Sequence, residues 1–150
     1  MSDATLSVDN PVCAKFVFYA AVVLLKTTLM SLWTSRHRIA KNVHTSPEDY
    51  RMTGSKPSVS LDPHVERVRR CHLNDLENVL PFVLIGLLFV LVGPEYSYAV
   101  LLFRLFTGSR ILHTLVYLNE VPQPARALCF GAGQVVMGLM IWEIFSKTSF

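Results

Sequence analysis

The chain has 150 residues, of which 51% are hydrophobic and only 17% charged, and it carries a net charge of +3. About a quarter of a soluble domain is charged, so this shortage, with apolar residues gathered in long runs, points to a membrane protein and excludes a disordered chain. Cys13, Cys71 and Cys129 have neither disulfide-framework nor metal-ligand spacing, so no metal is expected, and so mild a charge gives no reason to expect nucleic acid.

Four apolar segments occupy about 12–34, 74–92, 96–118 and 125–145, each close to the ~20 residues that carry a helix across a bilayer. None has the dyad alternation of a membrane barrel, and a chain in lipid must satisfy its own backbone hydrogen bonds, so all four are predicted helices. The expected fold is all-α, an integral membrane four-helix bundle forming one domain over 1–150. The first segment reads as a retained helix and not a signal peptide, because residues 1–11 hold no basic cluster and no small-residue cleavage site follows the apolar run.

A polar stretch at about 35–71 follows, with Arg36, Arg38, Lys41, Arg51, Lys56, Arg67, Arg69 and Arg70. The N-terminal stretch and the Gly93 turn hold no lysine or arginine, so the positive-inside rule assigns this loop to the cytosol and both termini to the opposite side, which in a eukaryotic cell is the lumen of the endoplasmic reticulum. Within it, Ser46-Pro47-Glu48-Asp49 has the form of a helix start, and Asp62-Pro63 predicts that the second helix begins near Pro63, ahead of its apolar run. The short connections at 93–95 and 120–124 make successive helices antiparallel.

The informative residues are polar ones at membrane depth: Lys26, Glu77, Arg104, Arg110, His113, Arg126 and Glu143. An isolated charge at a helix centre costs about 2.5–3.5 kcal/mol, so these side chains must face the interior, a watery cavity or a subunit contact. Arg67, Arg70, Asn74 and Glu77 recur at helical spacing and form one stripe; Arg110, His113 and Tyr117 form a second. Antiparallel pairing brings both stripes to the loop-side depth, and Arg126 joins them at the start of the fourth helix. Arginine forks suit carboxylates and phosphates, whereas Glu77 suits an ammonium, so the set fits a zwitterion with more than one carboxylate better than a nucleotide.

Plainer readings exist for each group. Arg67, Arg69 and Arg70 also fit a juxtamembrane cluster facing anionic lipid, Glu77 fits a partner for Arg70, and His113 fits a satisfied interior histidine. Lys26, Arg104 and Glu143 read as structural pairs or snorkelling side chains. The three cysteines read as packing thiols, and Phe16, Phe18, Tyr19, Trp33, Tyr96, Tyr98 and Trp142 as core and interface anchors.

The run from Val65 through Arg67, Arg69, Arg70, His72, Asn74 and Glu77 to Asn78 closely resembles the second-helix signature of the membrane-associated proteins in eicosanoid and glutathione metabolism, in their glutathione-transferase branch. Supporting blocks are Ser46-Pro47-Glu48-Asp49, Phe103-Arg104-Leu105-Phe106, the run from Arg110 to Tyr117, and Pro122-Gln123-Pro124-Ala125-Arg126. The resemblance implies a homotrimer in the membrane of the endoplasmic reticulum, and also the mitochondrial outer membrane, that binds glutathione between subunits near the cytosolic face. Its binding positions would be Arg38, Arg69, Arg70, His72, Asn74, Glu77, Arg110, His113, Tyr117 and Arg126. The arginines would hold the carboxylates and Glu77 the amino group, with Arg126 and Asp49 as the catalytic candidates. The implied reaction is attack of a glutathione thiolate, favoured by Arg126, on a lipophilic electrophile or a lipid hydroperoxide.

A sister branch uses glutathione to isomerise an endoperoxide, as prostaglandin E synthase, and shares the counterparts of Asp49 and Arg126 with this chain. It has arginine at the place of Leu73, serine at that of Ala127 and tyrosine at that of Phe130, which favours the transferase. Tyr50 stands where the transferase branch in mammals carries a stress-sensing cysteine, so thiol-reagent activation by that route is not expected. A third reading, a non-catalytic membrane scaffold that binds a lipid mediator, is weakened by the intact Arg70, Asn74, Glu77, Tyr117 and Arg126 set.

Overall fold

The computed structural model describes residues 6–44, 46–54 and 62–148, and they form helices α1 (Pro11–Lys41), α2 (Pro47–Thr53), α3 (Pro63–Leu91), α4 (Tyr96–Leu118) and α5 (Ala125–Lys147). Side-chain oxygens begin three of the long helices by taking up amides that have no partner within the helix. Asn10 Oδ1 accepts from Val12 N at 2.9 Å. Asp62 Oδ1 accepts from His64 N and Val65 N at 2.9 and 3.1 Å, and the Glu95 carboxylate accepts from Ser97 N and Tyr98 N at 2.8 and 2.7 Å. The Val65 amide, and after it Lys41, holds the Asp62 carboxyl below its usual range, and the Ser97 and Tyr98 amides do the same for Glu95.

α1, α3, α4 and α5 are long and apolar enough to cross a membrane, which bears out the all-α membrane reading. Both helices that flank the polar stretch run past their apolar segments. α1 continues to Lys41 because Arg38 and Lys41 suit the negative end of its dipole, and it stops where Asn42 takes a left-handed conformation (φ 53°). α3 starts at Pro63 and α2 at Pro47, both behind the expected capping residues. Much of 35–71 is therefore helical, and Lys56 lies outside the described residues.

α1 packs against α3 and α4, and α5 against α4 and α3, while α3 also meets α4 across the middle. Among the described residues α1 and α5 make no such contact, so the bundle is a ring in the order α1, α3, α5, α4 with one short diagonal. Its interior changes character along the axis. The half away from the loop is apolar and aromatic, with Phe16, Phe82, Phe89, Phe103 and Phe106 buried together, and Phe82 and Phe106 stack at 3.8 Å. The loop-side half holds a much smaller apolar cluster of Met30, Val68 and Cys71. All three cysteines are buried free thiols. The outer surface is apolar, with Leu84, Leu105, Leu128 and Val135 more than half exposed, as lipid-facing helices require.

Gly86 lets α1 and α3 approach. A Cβ there would lie 2.1 Å from Phe16 Cε2, and Phe16 has nowhere to retreat among Phe82 and Phe103. Gly86→Ala is expected to destabilise the detergent-purified protein by about 1–3 kcal/mol through overpacking. Phe16→Leu in the same chain should recover part of the loss in a thermal unfolding scan, and an unchanged transition in the single variant would contradict the close approach.

Candidate functional site

The centre of the polar half is a carboxylate. Asp75 on α3 has a fully buried side chain and receives Lys26 Nζ of α1 and, at 3.0 Å, Nη2 of Arg110 on α4, itself fully buried. The same Nη2 lies 2.7 Å from Asn74 Oδ1 and 3.3 Å from His113 Nδ1. Arginine has no acceptor, so the imidazole nitrogen facing it is the lone-pair nitrogen. Asn78 Nδ2 donates to Asn74 O at 2.6 Å, and Gln134 Nε2 of α5 donates to Asn78 Oδ1 at 2.7 Å. One hydrogen-bonded network thus ties all four spanning helices together.

Above this floor, at the loop-side end, Pro63, Glu66, Arg67, Arg70, Tyr117 and Arg126 line an open cavity of about 370 Å³. The Arg126 guanidinium carbon lies 4.9 Å from the Tyr117 ring centroid, and that ring is 5.5 Å from His113, which links the cavity to the network. Glu66 holds Arg69 at 3.2 Å and Arg70 at 3.0 Å, while Arg67 Nε lies 3.2 Å from Glu120. Buried Arg110 Nε, Arg110 Nη1 and Arg126 Nε have no hydrogen-bond partner among the described residues. Each is a donor left over after the protein's own contacts are made.

The antiparallel alignment does join the two expected stripes: Asn74, Arg110, His113, Tyr117 and Arg126 form a connected set with Arg70 at the cavity wall. Arg69 is exposed beside Arg70, His72 is half-buried on α3, Arg38 is half-buried in the last turn of α1, and Asp49 is half-buried on α2. Glu77 is exposed and does not pair with Arg70, which takes Glu66 one turn back. Lys26 and Glu143 are structural pairs as expected, with Asp75 and with Lys147 at 3.0 Å, and Arg104 Nε donates to Tyr19 Oη at 3.0 Å.

Asp75 is the residue that stripe reasoning missed. It follows Asn74 directly and so points about 100° away from the polar stripe, onto the buried face with Val68, Cys71, Asn78 and Phe82. A signal was available, since the spanning segments hold more basic than acidic side chains once only Glu77 and Glu143 are set against Lys26, Arg104, Arg110 and Arg126.

Fold and site together define an integral membrane helix bundle with a cavity lined by three arginines at one end. The MAPEG family model matches residues 16–146, and the chain belongs to that family. It is 46% identical to microsomal glutathione S-transferase 1 of Homo sapiens over 98% of this chain and 97% of that one. The corresponding mouse protein is 45% identical over 96% of each chain. Prostaglandin E synthase of Bos taurus is more distant, 30% identical over 90% of this chain and 91% of that protein.

Asp75→Ala leaves two buried basic side chains against no carboxylate, and breaking a buried pair in this way costs about 3–5 kcal/mol. Lys26→Met should cost less, since Arg110 still meets Asp75. Thermal unfolding in detergent tests the order, and equal transitions for wild type and Asp75→Ala would show that the network does not hold the bundle.

Proposed function

We propose that this protein is a membrane-bound glutathione transferase and peroxidase that presents a glutathione thiolate to lipophilic electrophiles or lipid hydroperoxides. The observation that carries this reading is the cavity lined by Arg67, Arg70, Tyr117 and Arg126, in a chain 46% identical over nearly its whole length to a microsomal glutathione S-transferase. Glutathione has two carboxylates and one ammonium. The network beneath the cavity sets two basic side chains against one carboxylate, so an anionic ligand group completes its balance, and the remaining donors of Arg110 and Arg126 suit carboxylate or thiolate acceptors.

In this reading Arg69, Arg70, Arg38 and Arg110 hold the carboxylates, while Asn74, His72, His113 and Tyr117 give neutral hydrogen bonds. Glu77, exposed on the outer face of α3, takes the amino group of glutathione bound between neighbouring subunits of a homotrimer. Asp49 on α2 stands at the loop side as a second catalytic candidate. No metal is needed for this chemistry. The basic loop faces the cytosol, both termini face the lumen of the endoplasmic reticulum, and the electrophile arrives from the bilayer.

The free thiol has a pKa of about 8.5, so only a few per cent is thiolate at neutral pH. A fall of about two units needs roughly 2.7 kcal/mol of differential stabilisation, within reach of a partly desolvated Arg126 contact. Arg126→Gln is therefore expected to reduce neutral-pH turnover of an aromatic halide about twentyfold, as the thiolate fraction falls to a few per cent, and to remove most of the ultraviolet thiolate signal, with glutathione binding largely kept. Turnover equal to wild type would remove Arg126 from the mechanism. Parallel assays with an aromatic halide, a lipid hydroperoxide and a prostaglandin endoperoxide separate the transferase from an endoperoxide isomerase, and absence of all three activities would favour a non-catalytic binding protein.

A further inference from the structure

The loop-side end of α1 carries a second group of side chains that takes no part in the cavity. Leu25, Leu29 and Trp33 recur every four residues as a ladder, Arg36 and Ala40 fall within the same roughly 80° face of α1, and His37 and Lys41 stand alongside it. Leu25 is 61%, Leu29 53% and Trp33 46% exposed. The guanidinium carbon of Arg36 lies 5.7 Å from the Trp33 ring centroid, and the His37 ring flanks the same indole at 5.7 Å. With Ala40 these side chains line an open cavity of about 370 Å³. Lys41 stands at its rim, 3.3 Å from Asp62, with 46% of its side chain still exposed.

The order along the ladder matches the order of parts in a phospholipid at a membrane surface. Aliphatic side chains come first, then an indole of the kind that settles at headgroup level, then two cations. Arginine and lysine beside an apolar helix end attract anionic headgroups, and a guanidinium meets a phosphate through two donors at once. A soluble anion would use the cations but gain nothing from Leu25, Leu29 and the indole.

We propose that this face of α1 is a binding site for an anionic phospholipid of the loop-side leaflet. One acyl chain runs along Leu25 and Leu29, the glycerol region lies on Trp33, and the phosphate is held by Arg36 and Lys41. A zwitterionic lipid binds more weakly, because its own ammonium competes with those cations. The site does not depend on the glutathione reading, since its residues are none of those assigned to that cavity.

The sequence holds only two tryptophans, and the other, Trp142, is 72% exposed toward the far end of α5. Trp142→Phe therefore makes Trp33 the sole reporter. In nanodiscs of phosphatidylcholine doped with a small, equal fraction of either brominated phosphatidylserine or brominated phosphatidylcholine, the serine lipid is expected to quench Trp33 about fivefold more effectively, the enrichment one basic side chain gives. Arg36→Gln with Lys41→Gln should remove the preference. Arg36→Gln alone, a single exposed substitution, should weaken it even where the double variant fails to fold. Millimolar inorganic phosphate should leave it unchanged. Equal quenching by both lipids, a Trp33 reached by neither because a second copy covers it, a preference kept in the variants, or one abolished by inorganic phosphate would each overturn the proposal.

Discussion

The bundle is organised around a carboxylate that cannot be left alone in hydrocarbon. Asp75 needs both Lys26 and Arg110, and those two side chains come from α1, beside α3 in the ring, and from α4, across its diagonal. Satisfying Asp75 therefore sets which helices are neighbours and their register along the axis, because a shift of one turn would strand all three groups. α5 brings no charge to this network and is attached through the weaker Gln134 to Asn78 bond. Buried ion groups of this kind add less to net stability than their Coulomb energy suggests, but removing one partner is severe. Here they act chiefly to specify one arrangement among the many that four apolar helices could adopt.

Apolar packing does the complementary work at the other end. The phenylalanines around Phe103 fill the half away from the loop, and Gly86 allows Phe16 to reach between α1 and α3. Helices in lipid gain nothing from hydrophobic exclusion against one another, so close van der Waals contact and interhelical hydrogen bonds must hold them. Concentrating the aromatic contacts in one half leaves the other free to be polar. The polar network then holds Arg110 below the cavity, with Tyr117 and Arg126 at its wall.

Much of this is legible in the sequence because membrane helices announce themselves by length, and because capping residues such as Asp62 and proline at the first helical position are local signals. The joining of Asn74 to Arg110 follows from antiparallel pairing alone. What could not be read was rotation about the helix axis beyond the followed stripe: Asp75, one residue from Asn74, faces the opposite demand. Nor could spacing decide between carboxylates, since Arg70 takes Glu66 and leaves Glu77 on the outer face.

The account turns on carboxylate recognition by arginines above a buried, positively biased network. Its most direct test is calorimetric binding of glutathione and of its dimethyl ester, in which both carboxylates are capped, to the detergent-purified protein. Hydrogen bonds to charged groups contribute about 1.5–3 kcal/mol each, so the ester is expected to bind at least about a hundredfold more weakly. Equal affinities would contradict the account.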